Sequence, residues 1–84
     1  MKVFCVSYDL RNNRDYQRIQ EELNRLGGIQ VLESVWTVKL GDSVTSVSLR
    51  DHLQKFIDSD DGLFVAQISS WATFNPNNTP HEFD

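Results

Sequence analysis

Two stretches of this chain, "KVFCVSY" (2–8) and "LFVAQISSW" (63–71), carry apolar residues on both of the faces that alternate along a strand. In the first, Val3 and Cys5 share one parity and Phe4, Val6 and Tyr8 the other; in the second, Phe64, Ala66 and Ile68 oppose Leu63 and Val65. A strand that is apolar on both faces reads as internal to a sheet covered on both sides. The chain has 84 residues, and a fold of that size withdraws only roughly 60 to 65 per cent of its unfolded surface from water. Cover for a second sheet face is scarce within one copy, so a homodimer packed sheet against sheet is expected. A disulfide cannot make up the deficit, because Cys5 is the single cysteine; in a strand it reads as a reduced, buried thiol.

Between the two strands the periodicity changes. From Arg14 to Leu26 the apolar residues Tyr16, Ile19, Leu23 and Leu26 recur every three or four positions, which makes one stripe of a helix stopped by Gly27 and Gly28. Arg14, Arg18 and Arg25 fall on the opposite, solvent side of that helix. "IQVLESVWTVKL" (29–40) alternates with period two but is long for one strand, so a bend or bulge is expected near Glu33-Ser34. After a turn at Gly41-Asp42-Ser43, a second helix presents Leu49, Leu53, Phe56 and Ile57 on one face, with Ser46 or Ser48 as its cap and Asp60-Asp61-Gly62 as its stop.

The order β, α, β(β), α, β defines an α+β chain. Right-handed crossovers with both helices on one face give a ferredoxin-like βαββαβ sandwich with an antiparallel sheet, over residues 1–71. Residues 72–84 form a C-terminal tail with Pro76 and Pro80 and too little periodicity for a helix. Its aromatics, Phe74 and Phe83, forgo ~1.5 to 3 kcal/mol each if left in water, so the part near Phe74 is expected to dock along the edge of a partner's sheet.

The formal net charge is −4, but the charge is unevenly distributed. Residues 1–55 hold all eight basic residues against seven acids, whereas 56–84 hold five acids and no base. A basic face that binds nucleic acid is compatible with the first part, and the acidic C-terminal third suits a basic protein partner. No stretch approaches the ~20 apolar residues that cross a bilayer, and the first apolar run is too short for a signal peptide, so no membrane association and a cytoplasmic location are expected. No glycine-rich phosphate loop, Ser-His-Asp order or paired Cys/His spacing is present. Neither an organic cofactor nor a zinc site is expected.

Tyr8-Asp9-Leu10 at the end of the first strand, "NNRDYQRIQEELNRLGG" (12–28), "ESVW" (33–36) and "DGLFV" (61–65) occur in an order that resembles the small CRISPR-associated, nuclease-like proteins of the spacer-acquisition complex and the related virulence-associated protein D group. The resemblance implies a homodimer that binds RNA or DNA and cleaves it as a metal-dependent endonuclease. It also implies that Asp9 is both the catalytic and the metal-holding residue, with Mg²⁺ or Mn²⁺ at the dimer cleft. A single carboxylate is a poor magnesium site, but a two-fold axis turns one Asp9 into two. The alternative for Asp9 is a turn cap. Arg11, Arg14 and Arg18 are the residues expected to touch phosphates; the alternative is i,i+4 surface pairing of Arg18 with Glu22 and of Arg25 with Glu21. Trp36 and Trp71 read as core or interface residues rather than base-stacking platforms. A non-catalytic dimeric scaffold, a toxin-system interaction module and a small-ligand sensor are the rival functions.

Overall fold

The computed structural model describes residues 1–84. Its elements are β1 (Lys2–Asp9), α1 (Tyr16–Arg25), β2 (Ile29–Leu32), β3 (Val35–Leu40), α2 (Ser46–Leu53) and β4 (Gly62–Ile68), with a 3₁₀ turn at Gln54–Phe56 continuing α2. The strands form one sheet in the order β2-β3-β1-β4, and every neighbouring pair is antiparallel. This is the ferredoxin-like α+β sandwich that the residue pattern predicts.

Register explains which residues fill the core. Pairing Phe4 with Val38 and Val6 with both Trp36 and Val65 gathers the even-numbered side chains of β1 and β3 on one face. There Phe4, Val6, Tyr8, Trp36 and Val38 pack with Ile19 and Leu23 of α1 and Leu49 and Leu53 of α2. Each fully buried aliphatic side chain contributes about 1.5 to 3 kcal/mol. Trp36 and Tyr8 also satisfy their polar ends inside this core, the Trp36 indole donating to the Tyr8 hydroxyl at 3.0 Å.

The helix boundaries differ from the expected ones for local reasons. Asp15 caps α1, its carboxylate accepting the Gln17 amide at 3.2 Å. Arg14 therefore lies outside the helix, in the left-handed region at φ 52°, and the arginine stripe of α1 reduces to Arg18 and Arg25. The helix closes where Gly27 takes φ 77° and the Gly28 amide donates to the Leu23 carbonyl at 2.8 Å. A Cβ at Gly28 would stand 2.7 Å from that carbonyl oxygen, so the close approach of backbone to backbone requires glycine there. Thr45 caps α2, in place of Ser46 or Ser48; Ser48 completes the reciprocal box by accepting the Thr45 amide at 2.9 Å.

The 29–40 segment does break in two at Glu33-Ser34, with a register shift between Gln30 and Leu32. β4 is an edge strand, not an internal one. Its residues Phe64, Ala66 and Ile68 share the helix-free face with Ser7, Cys5 and Val3, and Phe64 is 63% exposed. Apolar residues at both parities marked a strand with no helix over its second face, rather than a strand with neighbours on both sides.

The tail lies on this chain's own sheet. The Asn77 amide donates to the Val31 carbonyl at 2.8 Å, the Asn78 side chain donates to the Gln30 carbonyl at 2.8 Å, and Pro80 is buried. The His81 ring reaches both the Thr37 hydroxyl, at 2.8 Å, and the Gly27 carbonyl, at 3.0 Å. Docking therefore runs through Asn77 to His81, while Phe74 is 88% exposed. Between tail and sheet is a groove of about 280 Å³ lined by residues that include Cys5, Val31, Thr37 and Trp71. The tail covers the helix-free face over β2 and β3, a task that the sequence pattern assigned to a second copy, and leaves Phe64 of β4 uncovered.

Candidate metal and nucleic-acid site

Antiparallel pairing of Asp9 with Gly62 brings the end of β1 beside the start of β4. Two loops consequently meet at one end of the sheet: residues 10–15, which carry the arginines, and residues 57–61, which carry three aspartates. Leu10 is buried in the core and fixes where the first loop leaves β1.

The contacts between these loops are specific. The Arg11 amide donates to the Asp61 carboxylate at 2.8 Å, and its guanidinium donates to the Asp60 carbonyl at 3.2 Å and to Asp9 Oδ2 at 3.4 Å. The Asn12 side chain donates to the Asp60 carboxylate. Arg18 donates to Asp58 Oδ1 at 3.4 Å and to the Lys55 carbonyl at 3.1 Å. Arg14 turns back to the Arg11 carbonyl at 3.1 Å. The backbone amides of Arg11 and Asp58 hold the Asp61 carboxyl below its usual range, which keeps it ionised.

Of the residues singled out in the sequence, Asp9 and Arg11 are in direct contact, and Arg14 joins them through the loop backbone. Arg18 belongs to the same end through Asp58, and pairs with neither Glu22 nor any other residue of its own helix. Asp9 is no turn cap: its carboxylate is 76% exposed and its partner is Arg11. Arg25 pairs with Glu22 instead of Glu21, donating twice at 2.6 Å, and stands apart from the site. Trp36 is core at 2% exposure, and Trp71 donates its indole N–H to the His81 carbonyl at 2.9 Å.

The aspartate loop adds carboxylates where the sequence pattern marks only a helix stop. Asp58, Asp60 and Asp61 each offer a carboxylate oxygen, and the three oxygens lie within 4.8 Å of one another. The signal was present as "DSDDG", but a run that also stops a helix gives no indication of what its side chains face. Hard carboxylate oxygens are suitable donors for a divalent cation, so the donor chemistry at this end fits the ion that the resemblance implies.

The fold and this end of it define a class: a ferredoxin-like α+β sandwich whose central strand ends in an exposed aspartate among arginines and further carboxylates. A family model described as CRISPR associated protein Cas2 matches residues 1–75, and the chain belongs to that family. The match covers every element of the sheet and both helices; the tail residues that bind β2 and Thr37 follow it.

Proposed function

We propose that this CRISPR-associated protein works as a homodimer that binds RNA or DNA and cleaves it with Mg²⁺ or Mn²⁺ at the sheet end occupied by Asp9 and Arg11. The placement of Asp9 carries this reading: a largely exposed carboxylate closes the central strand, beside Arg11 and one register position from Asp61. A two-fold axis near that end supplies two such carboxylates to one ion. Asp9 of each copy would hold the cation, which polarises a phosphate and acidifies water when bound. The chain's own part is to position the phosphates, with Arg11, Arg14 and Arg18 as donors. Phe64 and the open half of the helix-free face supply apolar surface for the dimer contact.

A second reading, the non-catalytic scaffold, is favoured by the Arg11 guanidinium against Asp9 and by the position of Asp9 outside the close group of three carboxylates. One experiment separates the two. Under the first, purified protein sediments at twice the monomer mass and degrades labelled RNA or DNA only when Mg²⁺ or Mn²⁺ is added. Asp9→Asn, nearly isosteric but uncharged, then abolishes cleavage and leaves the dimer intact. Equal cleavage by both proteins removes Asp9 from the chemistry, and a dimer with no cleavage by either leaves the scaffold.

A further inference from the structure

The structure assigns the 57–61 loop a role as an internal competitor for the arginines: its aspartates and carbonyls occupy Arg11 and Arg18, and nucleic acid must displace them to bind. This inference rests on the phosphate-binding role proposed above for those arginines.

The contacts support competition rather than simple proximity. A guanidinium presents its donors in a fixed fork, and each of the two forks places one nitrogen on the acidic loop. Arg11 gives one nitrogen to the Asp60 carbonyl and another to Asp9; Arg18 gives one to Asp58 and another to the carbonyl of Lys55. Asn12, next to Arg11 in the 10–15 loop, is held by the Asp60 carboxylate. A phosphate offers anionic acceptor oxygens, so it competes for the same nitrogens. The local balance of charge also opposes phosphate: Arg11, Arg14 and Arg18 face Asp9, Asp15, Asp58, Asp60 and Asp61 at or beside this end of the sheet. The ion pairs themselves are weak, being 3.4 Å long and reached by solvent. They can therefore be displaced, and the cost falls on affinity without preventing binding.

Competition leaves a mark on the salt dependence. A free arginine that neutralises a phosphate releases a counterion from the nucleic acid, which steepens the fall of affinity with salt. An arginine withdrawn from an aspartate leaves a carboxylate that takes up a cation, so the net release is smaller. The native protein should accordingly bind with a shallower salt slope than its count of arginines implies.

The test uses the full chain, a fluorescein-labelled DNA duplex, fluorescence polarisation and a series of NaCl concentrations without divalent ions. In Asp58→Asn/Asp60→Asn each replaced carboxylate holds only Arg18 or Asn12, so the loop's own backbone contacts are untouched. The control, Asp42→Asn/Glu82→Gln, removes the same formal charge near the other end of the sheet, where Leu40 pairs with Lys2. Unmasking is expected to tighten binding about five-fold at low salt and to steepen the slope of log affinity against log salt by about one, with the control changing less than about two-fold. Adding Arg18→Gln to the unmasked protein should cancel the gain, since Arg11 keeps the Asp60 carbonyl and Asp9 in both backgrounds. A control that gains as much as the unmasked variant overturns the competition, since net charge alone then explains the effect. That result leaves the phosphate role standing if Arg11→Gln/Arg18→Gln still weakens the native protein. Arginine substitutions without effect in either background overturn the phosphate role, and the competition with it.

Discussion

Glu22 is the one carboxylate enclosed by this fold, at 5% exposure, and burial alone would raise its pKa. The Arg25 guanidinium is the stronger influence; with the help of His52, it holds Glu22 down to about 2. The sign of its effect on stability follows. A carboxylate that titrates lower in the folded chain than in the unfolded one stabilises the fold above its ordinary pKa, and this contribution is lost as pH falls through the folded value. The advantage of native protein over Glu22→Gln should be full at pH 7, shrink from about pH 4.5 downwards and vanish near pH 2. Urea midpoints of the two proteins across that range check this; a constant gap would mean that packing, not charge, accounts for Glu22. Sequence spacing could not identify the partner, because Glu21 and Glu22 both lie within a turn of Arg25. Burial and the arrival of His52 from α2 single out Glu22.

At the scale of elements, most of the architecture was legible because strand and helix periods differ and each change of period is punctuated by glycine or a turn. The break at Glu33-Ser34 and the stop at Gly27-Gly28 both fell where the pattern placed them. The caps did not, because Thr45, Ser46 and Ser48 are all good capping residues and only the backbone path chooses among them. The edge position of β4 was hidden for a related reason: alternation reports which faces are apolar, not how many neighbours a strand has. The choice of Thr45 is testable. Thr45→Ala removes the side-chain half of the capping box, the hydroxyl that accepts the Ser48 amide, and should lower stability by about 1 kcal/mol. Ser46→Ala, at a residue with no part in the box, should change it by less than about half that. Chemical denaturation of the two variants gives the comparison, and equal losses would remove Thr45 from its role.

For the molecule as a whole, the tail is the element that the sequence described least well. Its prolines and asparagines announced only that it is neither helix nor strand, and its aromatic residues pointed to Phe74. The anchoring groups are instead polar side chains, backbone amides and Pro80, whose partners lie some 40 to 50 residues earlier in the chain. Long-range pairing of that kind leaves no periodic trace. Removal of residues 76–84 uncovers Thr37 and Val31, which are 3% and 5% exposed with the tail in place, and should lower the melting temperature by roughly 5 to 15 °C. Melting that is unchanged by the truncation would show that the tail only rests on the sheet. The candidate site was half legible in the same way. Asp9 and Arg11 declared themselves at the end of an apolar strand, whereas the aspartates opposite them became neighbours only through the β1–β4 register.

The two margins of this sheet are unequal. Asn77 and Asn78 take up backbone carbonyls along β2, while β4 presents its outer backbone without a partner. Ribbons grow without limit when each copy offers one free margin to the next and keeps a second for the one after. This chain keeps only one. Were two copies to join through β4, like would meet like about a two-fold axis with no margin left for a third copy, so growth along the sheet would end at a pair.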